Sequence, residues 1–299
     1  MFKASPPLGG PRLLVVGAGY LGREIGRLAQ AGGWEVWPVV RTEESADKLR
    51  VNFPKVVAAD AVGEEFWKGL LGSWDGLIFA LAPSRKVGGS EFEAIHREGA
   101  VRAAAWAKAR GLPMVYLSST SVYAESGGGW VDETSAVAED DSRAMAMVAA
   151  ERATLRAGGT VVRCAGIYGP GRQIRPNAGG PERWLNVIEV EDAARAVGVV
   201  LRKMDPALAG RAEARHRGCG TRFRGPPGVR DVLSGATTGA GRADARIFNA
   251  CEDEALARGE VGGVWKEGSV RSRRSKRVRN QKLKETGWNP MCAAGRSKN

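Results

Sequence analysis

Three glycines, Gly17, Gly19 and Gly22, stand in G-x-G-x-x-G spacing within VVGAGYLGREIG. A residue without a side chain at the first position permits a tight turn out of a strand. At the second it lets a diphosphate reach the backbone, and at the third it lets a helix pack close to the strand. The exposed N–H groups and the helix dipole then favour phosphate oxygens. The chemistry implied is the seating of a dinucleotide, with Gly17, Gly19, Tyr20, Leu21 and Gly22 as the diphosphate contact.

Other chemistries are poorly provided for. His96 and His216 are the only histidines, which argues against a histidine metal site or triad. The cysteines at 164, 219, 251 and 292 are widely spaced and form no C-x-x-C pair. That fits a reducing compartment and leaves no metal site to expect. Cys164 reads as a small core residue rather than a nucleophile.

The elements that must position the glycines follow from hydrophobic patterning. Leu13 to Val16 is too short for a helix and reads as a buried parallel strand. Arg23 to Gln30 alternates with a helical period. Trp34 to Val40 reads as a second strand, ending at Arg41. A basic residue there accommodates the 2′-phosphate of NADP, where an acidic one would grip the ribose 2′-OH of NAD. Arg41 therefore favours NADP, with NAD still admissible; a solvated strand-end arginine is the plainer alternative. Glu43 to Val51 looks helical. Pro54 to Ala59 gives a third strand, ending at Asp60 where such folds meet the adenine. Glu64 to Leu71 forms a short amphipathic helix with Phe66, Trp67, Leu70 and Leu71 as its apolar stripe. Asp75 to Ala82 makes strand four, where the small Ala80 and Ala82 flank Leu81 and let a cofactor pass. Glu91 to Arg110 is a long helix and Pro113 to Ser118 a fifth strand. Alternating strands and helices imply an α/β fold, a Rossmann-type doubly wound parallel sheet. Ligands on such sheets lie at the carboxyl ends of the strands, which gathers Gly17 to Gly22, Arg41, Asp60, Ala80 to Pro83 and Ser118 to Tyr123 around one crevice.

GAGYLG, LSSTSVYA, VDETS, VRCAGIYGPGR and LNVIEVEDAARAV occur in this order between about residues 12 and 204. Together they resemble the extended short-chain dehydrogenase/reductase superfamily, specifically its NAD-dependent epimerase/dehydratase group. The resemblance places Ser119 where the family keeps a catalytic Ser or Thr that bonds a substrate hydroxyl or carbonyl. It makes Tyr123 part of a structural S-V-Y element. The family's acid/base is a Tyr-x-x-x-Lys pair on the next helix, where the lysine lowers the tyrosine pKa. That helix reads DDSRAMAMVAAERATLRA. Matching the family's glutamate to Glu151 puts Arg143 at the tyrosine position and Met147 at the lysine position. Arginine cannot act as a general acid/base. Ser119, Thr120, Tyr123, Glu125 and Arg143 are then the nearest groups for other chemistry. Arg143 could clamp an anionic substrate group, or it could be a solvated helix-face residue.

The net charge of +12 is unevenly placed. Residues 1–200 carry 23 basic and 23 acidic side chains, so the whole excess falls in residues 201–299. Arg211 to Ala245 is rich in Gly, Arg, Ala and Pro with almost no apolar period, too little to offset its ordering entropy. We expect an insertion there, such as a translated non-coding segment would produce. RIFNACEDEA and SKRVRNQKLKETGWNP then resemble late elements of the family. The expected organisation is residues 1–204 as the NAD(P)-binding domain, 205–246 as a basic Gly/Arg-rich insertion, and 247–299 as a small, irregular C-terminal substrate lobe with a basic tail. The run RSRRSKRVRNQKLK lacks interleaved aromatics, so nucleic acid is not the expected partner. No stretch approaches the ~20 apolar residues of a membrane span. MFKASPPLGGP has no apolar leader core, so a cytoplasmic location is expected, organellar or nuclear targeting being left open. The long helices after strands four and five admit a homodimer, as in relatives.

The expected function is that of an NAD(P)-binding protein of the epimerase/dehydratase type, acting on a nucleotide sugar or small carbonyl or hydroxyl compound without the usual Tyr/Lys pair. A catalytically silent NADP(H)-binding sensor or regulator is the alternative.

Overall fold

In the computed structural model, residues 10–83, 89–174, 184–204, 246–251, 256–257 and 277–291 are described. The insertion expected at 211–245 and Cys219 and Cys292 lie outside them.

Seven short apolar runs pair into one parallel sheet. They are β1 (Arg12–Val16), β2 (Glu35–Val40), β3 (Val57–Ala58), β4 (Gly76–Phe79), β5 (Met114–Ser119), β7 (Thr160–Cys164) and β11 (Ile247–Ala250). The order across the sheet is β3-β2-β1-β4-β5-β7-β11. Every pairing is parallel, so all strands end on the same edge. The chain winds outward from β1 to β3, then crosses back to β4 beside β1, which opens a crevice at that reversal. This is a Rossmann-type doubly wound sheet. β3 is shorter than the expected 54–59.

Helices cover both faces. On one side α1 (Tyr20–Ala31) packs against α7 (Val190–Met204), burying Leu21, Ile25, Val197, Val200 and Leu201 with Leu13 and Val15. On the other, α3 (Glu64–Gly69), α5 (Ala100–Ala109) and α6 (Ser142–Arg156) bury Trp67, Ala103, Trp106 and Ala150 against Leu14, Leu77 and Tyr116. α2 (Glu43–Arg50) is capped by Thr42, whose hydroxyl accepts from Ser45 N. The expected stripe on α3 extends too far. The helix ends at Gly69, and Leu71 is 82% exposed.

The long helix expected from Glu91 runs from Gly89 as α4 (Gly89–Glu93), widens into a π-helical turn at Ala94–Gly99, and continues as α5. The wide turn presents His96 to the core. Its Nδ1 shares a hydrogen bond with the Tyr116 hydroxyl at 2.8 Å, and Phe92 packs on the ring. Burial pushes the His96 pKa down to about 4.

The described part of the C-terminal segment packs against the body of the fold. β13 (Arg277–Val278) pairs in parallel with β6 (Trp130–Val131), and α8 (Gln281–Lys284) follows. Val278, Leu283 and Trp288 are buried in the α1/α7 side of the core. Trp288 Nε1 donates to Asp192 O at 3.1 Å, and Asp192 Oδ2 accepts from Met291 N at 2.8 Å. Asp192, in the first turn of α7, thus anchors the tail. The shorter pairs β8 (Gly166–Tyr168) with β10 (Val187–Glu189), and β9 (Trp184–Leu185) with β12 (Leu256–Ala257), lie outside the main sheet.

Two stability measurements test this packing. Trp288→Ala should cost about 3–5 kcal/mol in urea unfolding, and a loss near zero would show the tail is not seated. His96 has a folded pKa of about 4 against an ordinary 6.5, so the unfolded chain binds its proton first as pH falls. Stability should therefore drop between those values by up to about 3 kcal/mol. His96→Gln should make the dependence of stability on pH in that window shallower by one proton; an unchanged slope would refute the buried neutral ring.

Candidate functional site

The crevice begins at two backbone contacts that only glycine allows. Gly17 leaves β1 with φ at +97°, and its N–H donates to Val39 O at 3.0 Å. A Cβ there would lie 2.5 Å from Leu81 N. A Cβ on Gly22 would lie 2.1 Å from Gly17 O, so α1 can close onto the turn only without one. Gly19 differs: among the described residues, its chain neighbours aside, nothing stands within 4 Å of the place its Cβ would take. It is the residue before α1, and no acidic side chain occupies the first turn. The first intrahelical bond at this end runs from Arg23 N to Gly19 O. The N–H groups of Tyr20, Leu21 and Gly22 therefore have no acceptor within the helix and face an open cradle. Those residues fit a diphosphate.

The remaining cofactor positions lie along the same sheet edge. Arg41 follows β2; its Nη1 meets Glu91 Oε1 at 2.6 Å, and its side chain is 63% exposed. Asp60 follows β3, and its Oδ1 accepts from Val62 N at 3.0 Å. Ala80, Leu81 and Ala82 follow β4, with Ala80 N donating to Val16 O at 2.7 Å. Tyr20 contributes its backbone rather than its phenol. The ring leans toward the 166–172 loop, where Arg172 stacks on it at 5.5 Å. Its hydroxyl is buried without a hydrogen-bond partner among the described residues, and a Cβ on Gly169 would come within 2.9 Å of it.

At the end of β5 the hydroxyls part company. Ser118 is buried and donates to Glu151 Oε1 at 2.6 Å, so its side chain serves the core rather than a coenzyme. The Arg163 guanidinium forks onto Glu151, with Nε to Oε1 at 2.9 Å and Nη2 to Oε2 at 2.7 Å. Burial opposes the Arg163 charge, but the Glu151 bonds outweigh it and raise its pKa. Tyr123 closes the cluster. Its ring lies under Arg163 at 4.8 Å, and its hydroxyl donates to Asn249 Oδ1 at 2.7 Å. Burial pushes its pKa up to about 12. At 2% exposure, with its hydroxyl committed to Asn249, Tyr123 is placed in the core rather than open to a substrate, unlike the role expected for it. This buried network of Ser118, Glu151, Arg163, Tyr123 and Asn249 was not foreseen as a unit. Its sequence signals are Glu151, in the third turn on an otherwise apolar face of α6, and Arg163, a charge within the apolar run of β7.

Ser119 is half-buried at the strand end, and its Oγ accepts from Ser121 N at 3.1 Å. Thr120 is buried. Glu125 is taken up by its own loop, accepting from Gly127 N and Gly129 N. Arg143 is exposed in the first turn of α6 with its guanidinium 5.4 Å from the Phe92 ring. Met147, one turn on, is buried with Val122 and Val148 against Phe92 and Val137. α6 carries neither tyrosine nor lysine. Burial pushes the Cys164 thiol up to about 12, which fits a core residue. Among the described residues, no group of acidic, histidine and cysteine side chains could hold a metal ion, and no helix is long and apolar enough to cross a membrane.

The family model for the NAD-dependent epimerase/dehydratase family matches residues 13–188, more than half of the chain. The chain belongs to that family. No curated protein sequence matches it. Solved structures similar over nearly the whole chain share the fold. A UDP-galactose 4-epimerase is 18% identical, with 95% of this chain and 94% of that one covered and a TM-score of 0.65. A UDP-N-acetylglucosamine 4-epimerase from Bacillus cereus is 15% identical, with 95% and 94% covered and a TM-score of 0.64. The Bordetella bronchiseptica enzyme WbmG, solved with NAD and UDP, is 15% identical, with 96% and 91% covered and a TM-score of 0.66.

Gly19→Ala and Gly22→Ala separate the seat from the scaffold. Gly19→Ala should leave thermal stability unchanged and weaken NADH binding at least tenfold, about 1.4 kcal/mol or more, because its methyl enters the open cradle. Gly22→Ala should lower the melting temperature as well. Equal NADH affinity in Gly19→Ala and the wild type would refute the cradle.

Proposed function

We propose that this chain binds a nicotinamide dinucleotide across the sheet's carboxyl edge and does not run tyrosine-dependent hydride transfer. NADP(H) is the preferred coenzyme and NAD(H) is also accepted. The observation that carries the reading is the pairing of an open glycine cradle with an α6 face that offers Arg143 and Met147. Among the described residues nothing beyond its chain neighbours crowds Gly19, whereas Met147 sits in an apolar cluster where a lysine would meet the ribose. Arg41, exposed at the end of β2, supports NADP(H) through its charge. Cofactor occupancy is then the output, as in a sensor or regulator.

A second reading has a specific observation behind it. Ser119 keeps its hydroxyl at the strand end, and the exposed Arg143 guanidinium stands at the start of α6. An anionic nucleotide sugar would suit that fork, and UDP-sugar epimerases share the fold. On this reading the chain is an enzyme whose acid/base comes from other groups or from the substrate. A cytoplasmic setting and a homodimer remain expectations of both.

Fluorescence titration with NADPH and NADH tests the shared claim, and failure of both to bind removes it. Incubation of the loaded protein with UDP-sugars and small carbonyl compounds, with products separated chromatographically, divides the readings. The silent reading expects no product from any of them. Turnover that Ser119→Ala lowers by about a hundredfold or more would establish the enzyme instead.

A further inference from the structure

The coenzyme-facing arginine is already engaged. Arg41 Nη1 meets Glu91 Oε1 at 2.6 Å, across 50 residues of sequence. The two partners are unequally held. The Arg41 side chain is 63% exposed, whereas that of Glu91 is only 16% exposed. Glu91 also lies in the first turn of the helix that begins at Gly89, where the helix dipole favours a carboxylate. Its charge is therefore the fixed member of the pair, and the guanidinium is the mobile one.

We propose that Glu91 is a specificity-determining residue for the coenzyme, a resident carboxylate that competes with the 2′-phosphate for Arg41. The proposal rests on the reading of this crevice as a dinucleotide site with Arg41 beside the adenosine ribose. A phosphate monoester carries nearly two negative charges at neutral pH. Bound to Arg41, it must either displace Glu91 or share one guanidinium with it at short range. Both routes cost affinity, through a broken ion pair or through like-charge repulsion. A ribose 2′-OH brings no charge and meets neither cost. Glu91 thus narrows the advantage that Arg41 gives NADP(H) and lets one site accept both coenzymes. The carboxylate comes from the helix after β4, not from the end of β2, so it does not show in the local sequence around Arg41.

Binding of NADPH and NADH to the full chain at low and high salt tests this. Glu91→Gln keeps the shape and a hydrogen-bond acceptor while removing the charge, and Glu91→Ala is the second variant. At low salt each should raise NADPH affinity about tenfold relative to NADH. High salt should shrink that gain, since the pair is solvent-accessible. Arg41→Ala should lower NADPH affinity and spare NADH. If wild type binds both coenzymes and the Glu91 variants leave their ratio unchanged, this inference is overturned and the proposed function stands. If the variants lose both coenzymes along with thermal stability, Glu91 is structural and the inference is likewise overturned. If wild type binds neither, the proposed function fails and takes this inference with it.

Discussion

The crevice depends on how closely one helix can approach one turn. Gly22 must sit so near Gly17 O that a Cβ would stand 2.1 Å away. Gly17 must itself pass beside Leu81 N with φ at +97°. Those two contacts bring the amino end of α1 to the place where β1 and β4 part. Gly19, between them, is the one glycine of the motif whose missing side chain leaves open space rather than relieving a clash. The first two build the seat, and the third keeps it clear. On the proposed reading, the helix dipole and the N–H groups of Tyr20 to Gly22 attract the diphosphate.

Behind the seat, the polar interior holds the later strands in register. Glu151 on α6 receives Ser118 from β5 and Arg163 from β7, and Tyr123 passes the chain of contacts to Asn249 on β11. A buried ion pair of this kind is weak evidence for stability, because desolvation opposes its attraction. Its effect here is geometric: it fixes where β5 ends, and so where Ser119 stands. The C-terminal segment supplies a second brace. Asp192 ties α7 to Trp288 and Met291, and α7 packs on α1. The helix that carries the glycine seat is thereby backed by residues from the far end of the chain.

What could be read from the sequence was what is local. The strands from β1 to β5 and the glycine turn follow from short apolar runs and periodicity within a few residues, whereas α6 was implied by the family resemblance. The crevice followed from parallel topology. What could not be read was what depends on distant partners. Tyr123 looked like a hydroxyl near the chemistry, yet its partner Asn249 lies 126 residues away and turns it into core. Ser118 is claimed in the same way by Glu151. Arg41 looked like an unclaimed cation until the helix after β4 brought Glu91 to it. Lysine and arginine dominate the basic run near the C-terminus, and its composition does not show what it packs against. Val278, Leu283 and Trp288 are too sparse among those charges to signal burial, yet all three enter the core.

The proposed role of the crevice requires a diphosphate at the start of α1. A crystal structure of the chain grown with NADH tests it most directly. The expected density places the diphosphate oxygens within hydrogen-bond distance of the N–H groups of Tyr20, Leu21 and Gly22, over Gly19. Dinucleotide density elsewhere, with that corner closed by protein, would contradict it.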